Sequence, residues 1–265
     1  MRKIAFYSLV FLILITICLV FIISKEFDYV KLPHGSKMYI YKASKNNDNH
    51  CSIIIFPGGA YKTLSKWYEG LAWFPFFHEN GYTIAMLNYR MPHSDYSIPN
   101  IDASEAIKYM RYSADNYSYK KEKVGVMGFS AGGHLASTLT VSKEDSIRPD
   151  FTLLFYPVIS MKKELTHLSS HNNLLGEDAN EELEQQFSNE LHVSNETPPV
   201  YIALSHDDKI VNPQNSHVFI KEMIAKKRKA VLHEYPSGGH GWGYRNSFLY
   251  HKQMTEDLKK WLEEL

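Results

Sequence analysis

The stretch KVGVMGFSAGGHLA (Lys123–Ala136) decides the fold of this 265-residue chain. Its first part is a run of small apolar residues, Val124 to Met127, which predicts a buried strand. From His134 onward the pattern predicts a helix. Ser130 then lies on the turn between a strand and a helix, inside the motif Gly-x-Ser-x-Gly. Strand, turn and helix in this order are the context in which that motif carries a nucleophilic serine.

The glycines of the motif have a structural purpose. Gly128 and Gly132 permit the close backbone approach that a strained turn at Ser130 requires. The turn brings the hydroxyl to the N-terminus of a helix, where the dipole and the amide of Ala131 favour negative charge on a reacting oxygen. A serine hydroxyl is a poor nucleophile until a base takes its proton. The prediction therefore requires a base, an acid and an oxyanion site elsewhere in the chain.

The rest of the chain alternates apolar strand-like runs with amphipathic helical segments, which predicts an α/β fold. Most runs are continuously apolar, as expected for strands buried on both faces of a parallel sheet. We therefore predict a mostly parallel sheet with helices on both faces. An early strand or two is expected around Lys37 to Lys42, and the main strands are CSIIIFPGG from Cys51, GYTIAMLNY from Gly81, KVGVMGF from Lys123, DFTLLFYPVI from Asp150, PVYIALSH from Pro199 and AVLHEYP from Ala230.

Three segments have helical periodicity: Ile101 to Tyr112, Pro213 to Lys226 and Phe248 to Leu265. The apolar faces of the first two are predicted to include Ile101 and Ile224. One polar segment, Ser160 to Thr197, is too long for an ordinary connection between strands. We interpret it as an insertion that forms a small lid, at about 160–197, above the ends of the strands.

The predicted base is His240 in SGGHGWG, which follows the last strand. Glycines on both sides make a loop that lets the imidazole turn back over the sheet. The chain has 13 histidines, so a single one deserves little weight by itself. His134 is expected to be a packed helix residue and His206 to shape its turn. The lid histidines are expected on its surface: His167, His171 and His192.

The predicted acid follows the strand from Val200 to Leu204, where SHDDKIVNPQNS offers Asp207 and Asp208. Adjacent side chains on a turn point in different directions, so only one should reach His240. We assign Asp208 as the acid that holds the imidazole. Asp207 remains the alternative, as a turn-forming carboxylate or as the acid itself.

The predicted oxyanion site lies in FPGGAY, at the end of the strand that begins at Cys51. Glycines at this position expose backbone N–H groups without a side chain in the way. The amides of Gly59 and Ala60, together with that of Ala131, are expected to surround the negative charge of a tetrahedral intermediate. The alternative is a plain Gly-Gly turn.

Bulk composition narrows the function. Lysine and arginine number 29, as do aspartate and glutamate, and no basic block dominates, which argues against nucleic acid as a partner. The two cysteines, Cys18 and Cys51, fall in different parts of the chain, so a disulfide within the main domain and a cysteine-rich metal site are excluded. No metal and no cofactor are implied.

The first thirty residues form a segment distinct from the main domain. Arg2 and Lys3 precede an uncharged apolar run from Ile4 to Ile23, which is long enough as a helix to span a bilayer. The positive start predicts a cytoplasmic N-terminus and an exported domain. An uncleaved membrane anchor is favoured over a cleaved signal segment, which would leave a secreted or periplasmic protein. The expected organisation is an anchor or signal over 1–30 and one domain over 31–265.

Taken together, FPGGAY, GFSAGGHLA, DDKIVNPQNS and GGHGWG resemble the motifs of the α/β-hydrolase superfamily. Within it, the chain is similar to bacterial carbohydrate esterases related to acetylxylan and feruloyl esterases. The resemblance covers roughly residues 31–265. Those families carry Pro-Gly-Gly-Gly-Tyr in the oxyanion loop, and this chain has Ala60 at the third glycine. The amide is retained, and the added methyl narrows the pocket.

The predicted function is a serine esterase: Ser130 is acylated by an ester, and a water activated by His240 then releases the acid. The resemblance implies short acyl esters, such as acetyl groups on a polysaccharide or oligosaccharide. Tyr61, Trp67 and Trp242 are expected either to stack on sugar rings or to pack beneath loops. A serine peptidase, an acyltransferase and a catalytically silent, anchored binding protein are the alternatives.

Overall fold

The computed structural model describes residues 27–44 and 48–265, and in them eight strands form one sheet. The spatial order is β1-β2-β4-β3-β5-β6-β7-β8. β1 and β2 pair antiparallel and so do β2 and β4, whereas every pair from β4 to β8 is parallel. The strands are β1 (Phe27–Lys31), β2 (Lys37–Tyr41), β3 (Cys51–Phe56), β4 (Tyr82–Asn88), β5 (Val124–Phe129), β6 (Thr152–Phe155), β7 (Val200–Ser205) and β8 (Ala230–Tyr235).

Helices lie in the connections between these strands and pack around the sheet. They are α1 (Phe74–Glu79), α2 (Ser97–Tyr112), α3 (Ala114–Tyr117), α4 (Ser130–Thr140), α5 (Leu168–Leu175), α6 (Glu181–Gln186), α7 (Gln214–Ala225) and α8 (His251–Glu263), with 3-10 turns at Leu71–Trp73 and Asn189–His192.

The central strands are buried along their whole length, as their continuous apolar sequences predict. Every residue of β3, β5, β6 and β7 is buried, and Ile53, Ile54 and Ile55 of β3 are fully inaccessible to solvent. The edge strands β1 and β8 are only partly buried. Because β3 to β8 run parallel, their carboxyl ends meet at one edge of the sheet, and the loops that follow them converge there.

The polar segment 160–197 is structured and docks on this edge. It contains α5, α6 and the 3-10 turn at Asn189–His192. Nε2–H of His134, on α4, donates to the carbonyl of Phe187 at 2.8 Å, and Nδ2 of Asn189 donates to Ser137 Oγ at 2.7 Å. Nδ2 of Asn173 donates to the carbonyl of Ala60 at 2.8 Å. The segment therefore packs on the helix that follows Ser130 and on the predicted oxyanion loop, and its role as a lid remains a prediction.

Two details differ from the sequence-based expectation. The sheet begins at Phe27 rather than at residue 31, because β1 pairs with β2 over five residues. On α2 and α7 the predicted apolar faces are too wide, since Ile101 is 37% and Ile224 66% exposed. The predicted anchor or signal segment falls largely on residues 1–26, which lie outside the described residues. Within the described ranges, no helix is both long and apolar enough to cross a bilayer.

Candidate active site

The turn that carries Ser130 has the strained geometry expected of a strand-to-helix turn. Ser130 follows β5 directly, begins α4 and has a φ of 50°, a region that non-glycine residues rarely occupy. A Cβ at Gly132 would lie 2.0 Å from the carbonyl oxygen of Phe56, and one at Gly128 would lie 2.3 Å from that of Gly132. Both positions therefore require glycine, because β3, β5 and α4 approach one another too closely for a side chain.

A continuous chain of hydrogen bonds joins the three residues that sequence reasoning selected. Nε2 of His240 lies 2.9 Å from Oγ of Ser130, and Nδ1 lies 2.7 Å from Oδ2 of Asp208. The carboxylate can only accept, so Nδ1 carries the proton and Nε2 presents its lone pair to the serine hydroxyl. Ser130 and Asp208 are buried, at 5% and 6% exposure. The arrangement can move a proton from the hydroxyl to a base oriented by an acid.

The turn after β7 fixes the carboxylate of Asp208. Its Oδ1 accepts the backbone N–H groups of Ile210 at 2.9 Å and Val211 at 3.0 Å, which leaves Oδ2 for the imidazole. The neighbouring Asp207 points elsewhere: its Oδ1 accepts the N–H of Gly239 at 2.8 Å. That hydrogen bond holds the pKa of Asp207 below its usual range. The structure thus brings Asp208 to the ring of His240 and Asp207 to the backbone next to it.

His240 lies on the segment Pro236–Gly243, which we call the histidine loop. Gly238, Gly239, Gly241 and Gly243 all have positive φ. At Gly238, a Cβ would lie 2.4 Å from the ring of Phe248. The backbone can therefore fold back over the carboxyl edge of the sheet only because these positions lack side chains.

The predicted oxyanion amides lie on two segments that flank Ser130. One is the segment Pro57–Tyr61, which we call the glycine loop; a Cβ at Gly58 in this loop would lie 2.9 Å from Cβ of Ser130. Gly59 and Ala60 have φ values of 131° and 57°, and their N–H groups donate to no acceptor within the described part of the chain. Ala131 lies in the first turn of α4, where amides have no intrahelical acceptor. These donors are available beside the hydroxyl, and their role remains a prediction.

Of the three aromatic residues expected either to stack on sugar or to pack beneath loops, two are packed. Tyr61 is 1% exposed and donates its hydroxyl proton to Nδ1 of His134, at 2.9 Å. Trp242 is 4% exposed and stacks on Phe248 with centroids 4.2 Å apart. Both rings are buried under loops, so stacking on a ligand is wrong for them. Trp67 is 61% exposed and remains a candidate.

Sequence reasoning missed two buried residues beside Ser130 and His240. Glu69, 4% exposed, accepts the N–H of Gly58 at 2.9 Å and the hydroxyl of Tyr156 at 2.9 Å. Tyr156 follows β6, has a φ of 37° and lies with its ring centroid 4.7 Å from that of His240. No motif marks either residue, and a glutamate among WYEGLAW carries no chemical signature in sequence.

Among the described residues, no group of three or more His, Cys, Asp or Glu side chains is placed to hold a metal ion.

Comparison with known proteins identifies the family of this chain. The family model described as BD-FAE matches residues 38–223, which is more than half of the chain. The chain belongs to the BD-FAE family. An acetylxylan esterase from Xylanibacter ruminicola is 36% identical over 223 residues, which are 83% of this BD-FAE chain and 46% of the relative. The endo-1,4-beta-xylanase B of Butyrivibrio fibrisolvens is 31% identical over 240 residues, 85% of this chain and 37% of the relative. The chain thus spans less than half the length of these two relatives.

Two solved structures have the same fold over most of their length. The acetyl ester-xyloside bifunctional hydrolase from Caldicellulosiruptor lactoaceticus has a TM-score of 0.81 and 32% identity, and the match covers 88% of this BD-FAE chain and 89% of that protein. Esterase 2 from Thermogutta terrifontis has a TM-score of 0.76 at 22% identity, over 90% and 94% of the two chains, and shows the fold alone. The predicted α/β-hydrolase fold and the resemblance to acetylxylan and feruloyl-type esterases are confirmed.

Proposed function

We propose that this chain hydrolyses short acyl esters, with acetyl esters on carbohydrate as the favoured class, by acylation of Ser130. The observation that carries the proposal is the continuous relay from Ser130 Oγ through both nitrogens of His240 to Asp208, with distances of 2.9 and 2.7 Å. The family and the names of the relatives, an acetylxylan esterase and an acetyl ester-xyloside hydrolase, support the ester class.

The first half of the reaction follows from these contacts. Nε2 of His240 takes the proton of Ser130 while Oγ attacks the ester carbonyl carbon, and Asp208 stabilises the imidazolium. The amides of Gly59, Ala60 and Ala131 donate hydrogen bonds to the oxyanion, and one such donor typically contributes about 2.7–4 kcal/mol. His240 then gives the proton to the departing alcohol, which leaves an acyl group on Ser130.

The second half repeats the same steps with water. His240 removes a proton from the water as its oxygen attacks the acyl carbon, and returns that proton to Ser130 Oγ as the acid leaves. No group outside these residues has to supply or remove a proton. This is why a single imidazole with one fixed carboxylate suffices for both halves.

The carbohydrate part of the proposal has a local basis at Trp67. Its ring is 61% exposed, and it lies two residues before Glu69, whose carboxylate contacts the glycine loop. The next residue, Tyr68, accepts the N–H of Tyr244 just beyond the histidine loop, at 2.8 Å. The indole of Trp67, which is exposed and next in sequence to residues that contact both loops, can stack on a sugar ring.

The test is chemical labelling followed by a rate comparison on the full-length chain. We expect a fluorophosphonate to label wild type on Ser130 and to leave Ser130→Ala unlabelled. We expect kcat/KM on acetylated xylo-oligosaccharide to exceed that on 4-nitrophenyl acetate, and no turnover of dipeptide amides. Trp67→Ala should remove the preference for the oligosaccharide and leave the rate on the nitrophenyl ester.

Each alternative gives a different result. Absence of labelling together with absence of ester hydrolysis would overturn the enzyme proposal in favour of a silent binding protein. Amide turnover would identify a peptidase, and partitioning of the acyl group toward added alcohol would identify an acyltransferase. Equal rates on both esters, with Trp67→Ala unchanged, would leave the esterase and overturn the carbohydrate class.

A further inference from the structure

Glu69 lies beneath the site, between the loops that carry its two halves. Its Oε2 accepts the N–H of Gly58 in the glycine loop at 2.9 Å, and its Oε1 accepts the hydroxyl of Tyr156 at 2.9 Å. With 4% exposure, this carboxylate is shielded from water. Burial of a carboxylate costs free energy, and the hydrogen bonds to both oxygens of Glu69 offset that cost.

Tyr156 extends the contact to the histidine loop. Its hydroxyl oxygen accepts the N–H of Gly243 at 2.9 Å, which directs its own proton to Glu69. Its ring meets the imidazole of His240 edge to face, with centroids 4.7 Å apart. The same side chain therefore supports both the backbone and the ring of the predicted base.

Packing around Glu69 leaves little freedom. A Cβ at Gly58 would lie 2.8 Å from Oε2 of Glu69 and 2.9 Å from Cβ of Ser130, so this glycine is held between the carboxylate and the nucleophile. On the other side, a Cβ at Gly241 would lie 4.0 Å from Oε1 of Glu69. The carboxylate thus contacts the glycine loop directly and the histidine loop through Tyr156, and the peptide that it holds directly precedes the amide of Gly59.

The hydrogen bonds favour the ionised form of Glu69. Burial, the largest effect, raises the pKa of Glu69 above its usual range, and the Tyr156 hydroxyl, His240, the Gly58 amide and Arg245 offset only part of that rise. Both carboxylate oxygens accept hydrogen bonds, which is the pattern of an anion. A negative charge at this place also interacts with any positive charge that forms on His240.

We propose that Glu69 is a positioning residue of this site. It holds the glycine loop against the histidine loop. Its negative charge, together with that of Asp208, stabilises the imidazolium that forms on His240. The inference rests on the proposed function, in which His240 takes the proton of Ser130. Glu69 itself touches neither Ser130 Oγ nor an imidazole nitrogen within hydrogen-bond distance.

Other groups also face His240 and set the background for a test. Asp208 binds Nδ1, Ser130 binds Nε2, and the ring of Tyr156 covers one side. His167, at the N-terminus of α5, interacts electrostatically with His240; burial foremost, and then His240, lower the pKa of His167. The lowered pKa favours the neutral form of His167 near neutral pH, and Arg245 interacts electrostatically with Glu69.

The decisive experiment measures the titration of His240 directly. Full-length protein carrying ¹³Cε1-labelled histidine is titrated by NMR, and the signal of His240 is assigned by its loss in His240→Gln. Glu69→Gln keeps the shape of the side chain and removes its charge. We expect the titration midpoint of His240 to move about 0.5–1 pH unit lower, since the imidazolium loses a nearby negative charge. This readout needs no substrate, so it stands even if the proposed esterase activity fails.

Kinetics supply the second readout. With the ester that wild type hydrolyses, Glu69→Gln should lower kcat about tenfold or more with little change in KM, and the acid limb of the kcat/KM profile should move to lower pH by the same interval. Tyr156→Phe keeps the charge of Glu69 and removes the hydroxyl that joins Glu69 to Gly243. It should lower kcat and leave the midpoint of His240 near that of wild type.

Asp150→Asn is the matched control. Asp150 also accepts a backbone N–H, that of Val124 at 2.8 Å, and an arginine N–H from Arg111 at 2.9 Å, but at the amino edge of the parallel strands, opposite the site. We expect it to change thermal stability and neither the midpoint nor kcat. An unmoved His240 midpoint in Glu69→Gln, or an equal shift in Asp150→Asn, would overturn the proposal. So would wild-type kcat in Tyr156→Phe.

Discussion

The turn after β7 gives its two neighbouring carboxylates, Asp207 and Asp208, different contacts. The backbone directs Asp208 inward, where Ile210 and Val211 clamp Oδ1 and His240 takes Oδ2. Asp207 stays at the surface and holds the backbone of Gly239. Both side chains therefore contact the histidine loop: Asp208 binds the ring of His240, and Asp207 binds the backbone.

A pair of matched substitutions tests this division. Asp208→Asn should lower kcat about 10³- to 10⁴-fold, because an amide no longer stabilises the imidazolium and can favour the wrong tautomer of His240. Asp207→Asn retains an oxygen that accepts the Gly239 N–H, so kcat should change by about twofold at most. Steady-state kinetics on one ester, with thermal melts to confirm folding, decide the matter. Equal losses in both variants would contradict the assignment.

At this scale the sequence predicted the residues that belong to motifs and missed those that only contact them. Ser130 and His240 could be identified in the sequence because the glycines on both sides of each indicate an unusual backbone conformation. Glu69 and Tyr156 are 87 residues apart and meet only after folding. Aromatic side chains were ambiguous for a similar reason: a tyrosine such as Tyr61 serves equally well as a ligand platform or as a buried donor, and only its burial separates the two.

Three elements are joined by the buried imidazole of His134, on the helix α4. Tyr61 of the glycine loop donates its hydroxyl proton to Nδ1, and Nε2–H donates to Phe187 in the segment 160–197. Burial lowers the pKa of His134 to about 4, so the ring is neutral in the folded protein over most of the pH range. The docking of the predicted lid on the nucleophile helix thus depends on a neutral histidine.

This dependence predicts a pH effect on stability. The pKa of His134 in the unfolded chain is about 6.5. Below that pH its ring binds a proton in the unfolded state but not in the folded state. The free energy of unfolding should therefore fall as the pH drops from 6.5 toward 4, by about 2 kcal/mol at pH 5 from this residue. His134→Gln can make both hydrogen bonds and does not titrate.

Urea denaturation at pH 7 and pH 5 measures the effect. We expect wild type to lose about 2 kcal/mol more than His134→Gln between the two pH values, since the other histidines contribute equally to both proteins. Parallel losses would mean that His134 is not buried as a neutral ring. A variant that unfolds at both pH values would instead show that glutamine does not restore the contacts, and His134→Asn would then repeat the comparison.

Strands were more predictable than helices and connections. All six main strands lie where their apolar runs indicate, and for β3 to β7 the reason is that a strand buried on both faces has a simple composition. Helix faces were less certain: Ile224 fits the period of α7 and yet is 66% exposed, since periodicity cannot say where the neighbouring element ends. The short helix α1 in FPFFHE went unpredicted, because its proline and aromatic residues carry no clear period.

On the scale of the whole molecule, the parallel sheet is what gathers the site. The loops that hold Gly58, Ser130, Tyr156, Asp208 and His240 follow β3, β5, β6, β7 and β8, and all five loops open at the same edge. Their order along the chain says nothing about their distance in space. The sequence nevertheless predicted that residues 110 positions apart would meet, because the glycine-rich loop after the last strand lets the imidazole of His240 turn back over the sheet.

The far side of the sheet carries the last prediction. β1 closes the sheet by pairing with β2 over five residues, and the ring of Phe27 lies 5.1 Å from that of Tyr41 and 5.4 Å from that of Phe74. Three strands, β2, β4 and β3, separate β1 from β5, which leads to Ser130. Removal of β1 should therefore cost stability and leave the chemistry of the site intact.

We compare a chain that begins at Phe27 with one that begins at Leu32, where the second lacks β1. Loss of the ladder and of the aromatic contacts should lower the free energy of unfolding by about 2–4 kcal/mol, which corresponds to roughly 5–15 °C in Tm. The exposed edge of β2 should also promote association, visible by size-exclusion chromatography. Below its Tm, the shorter chain should retain kcat. Equal melting temperatures would show that the sheet does not need β1, and a lost kcat in folded protein would show that this edge supports the site after all.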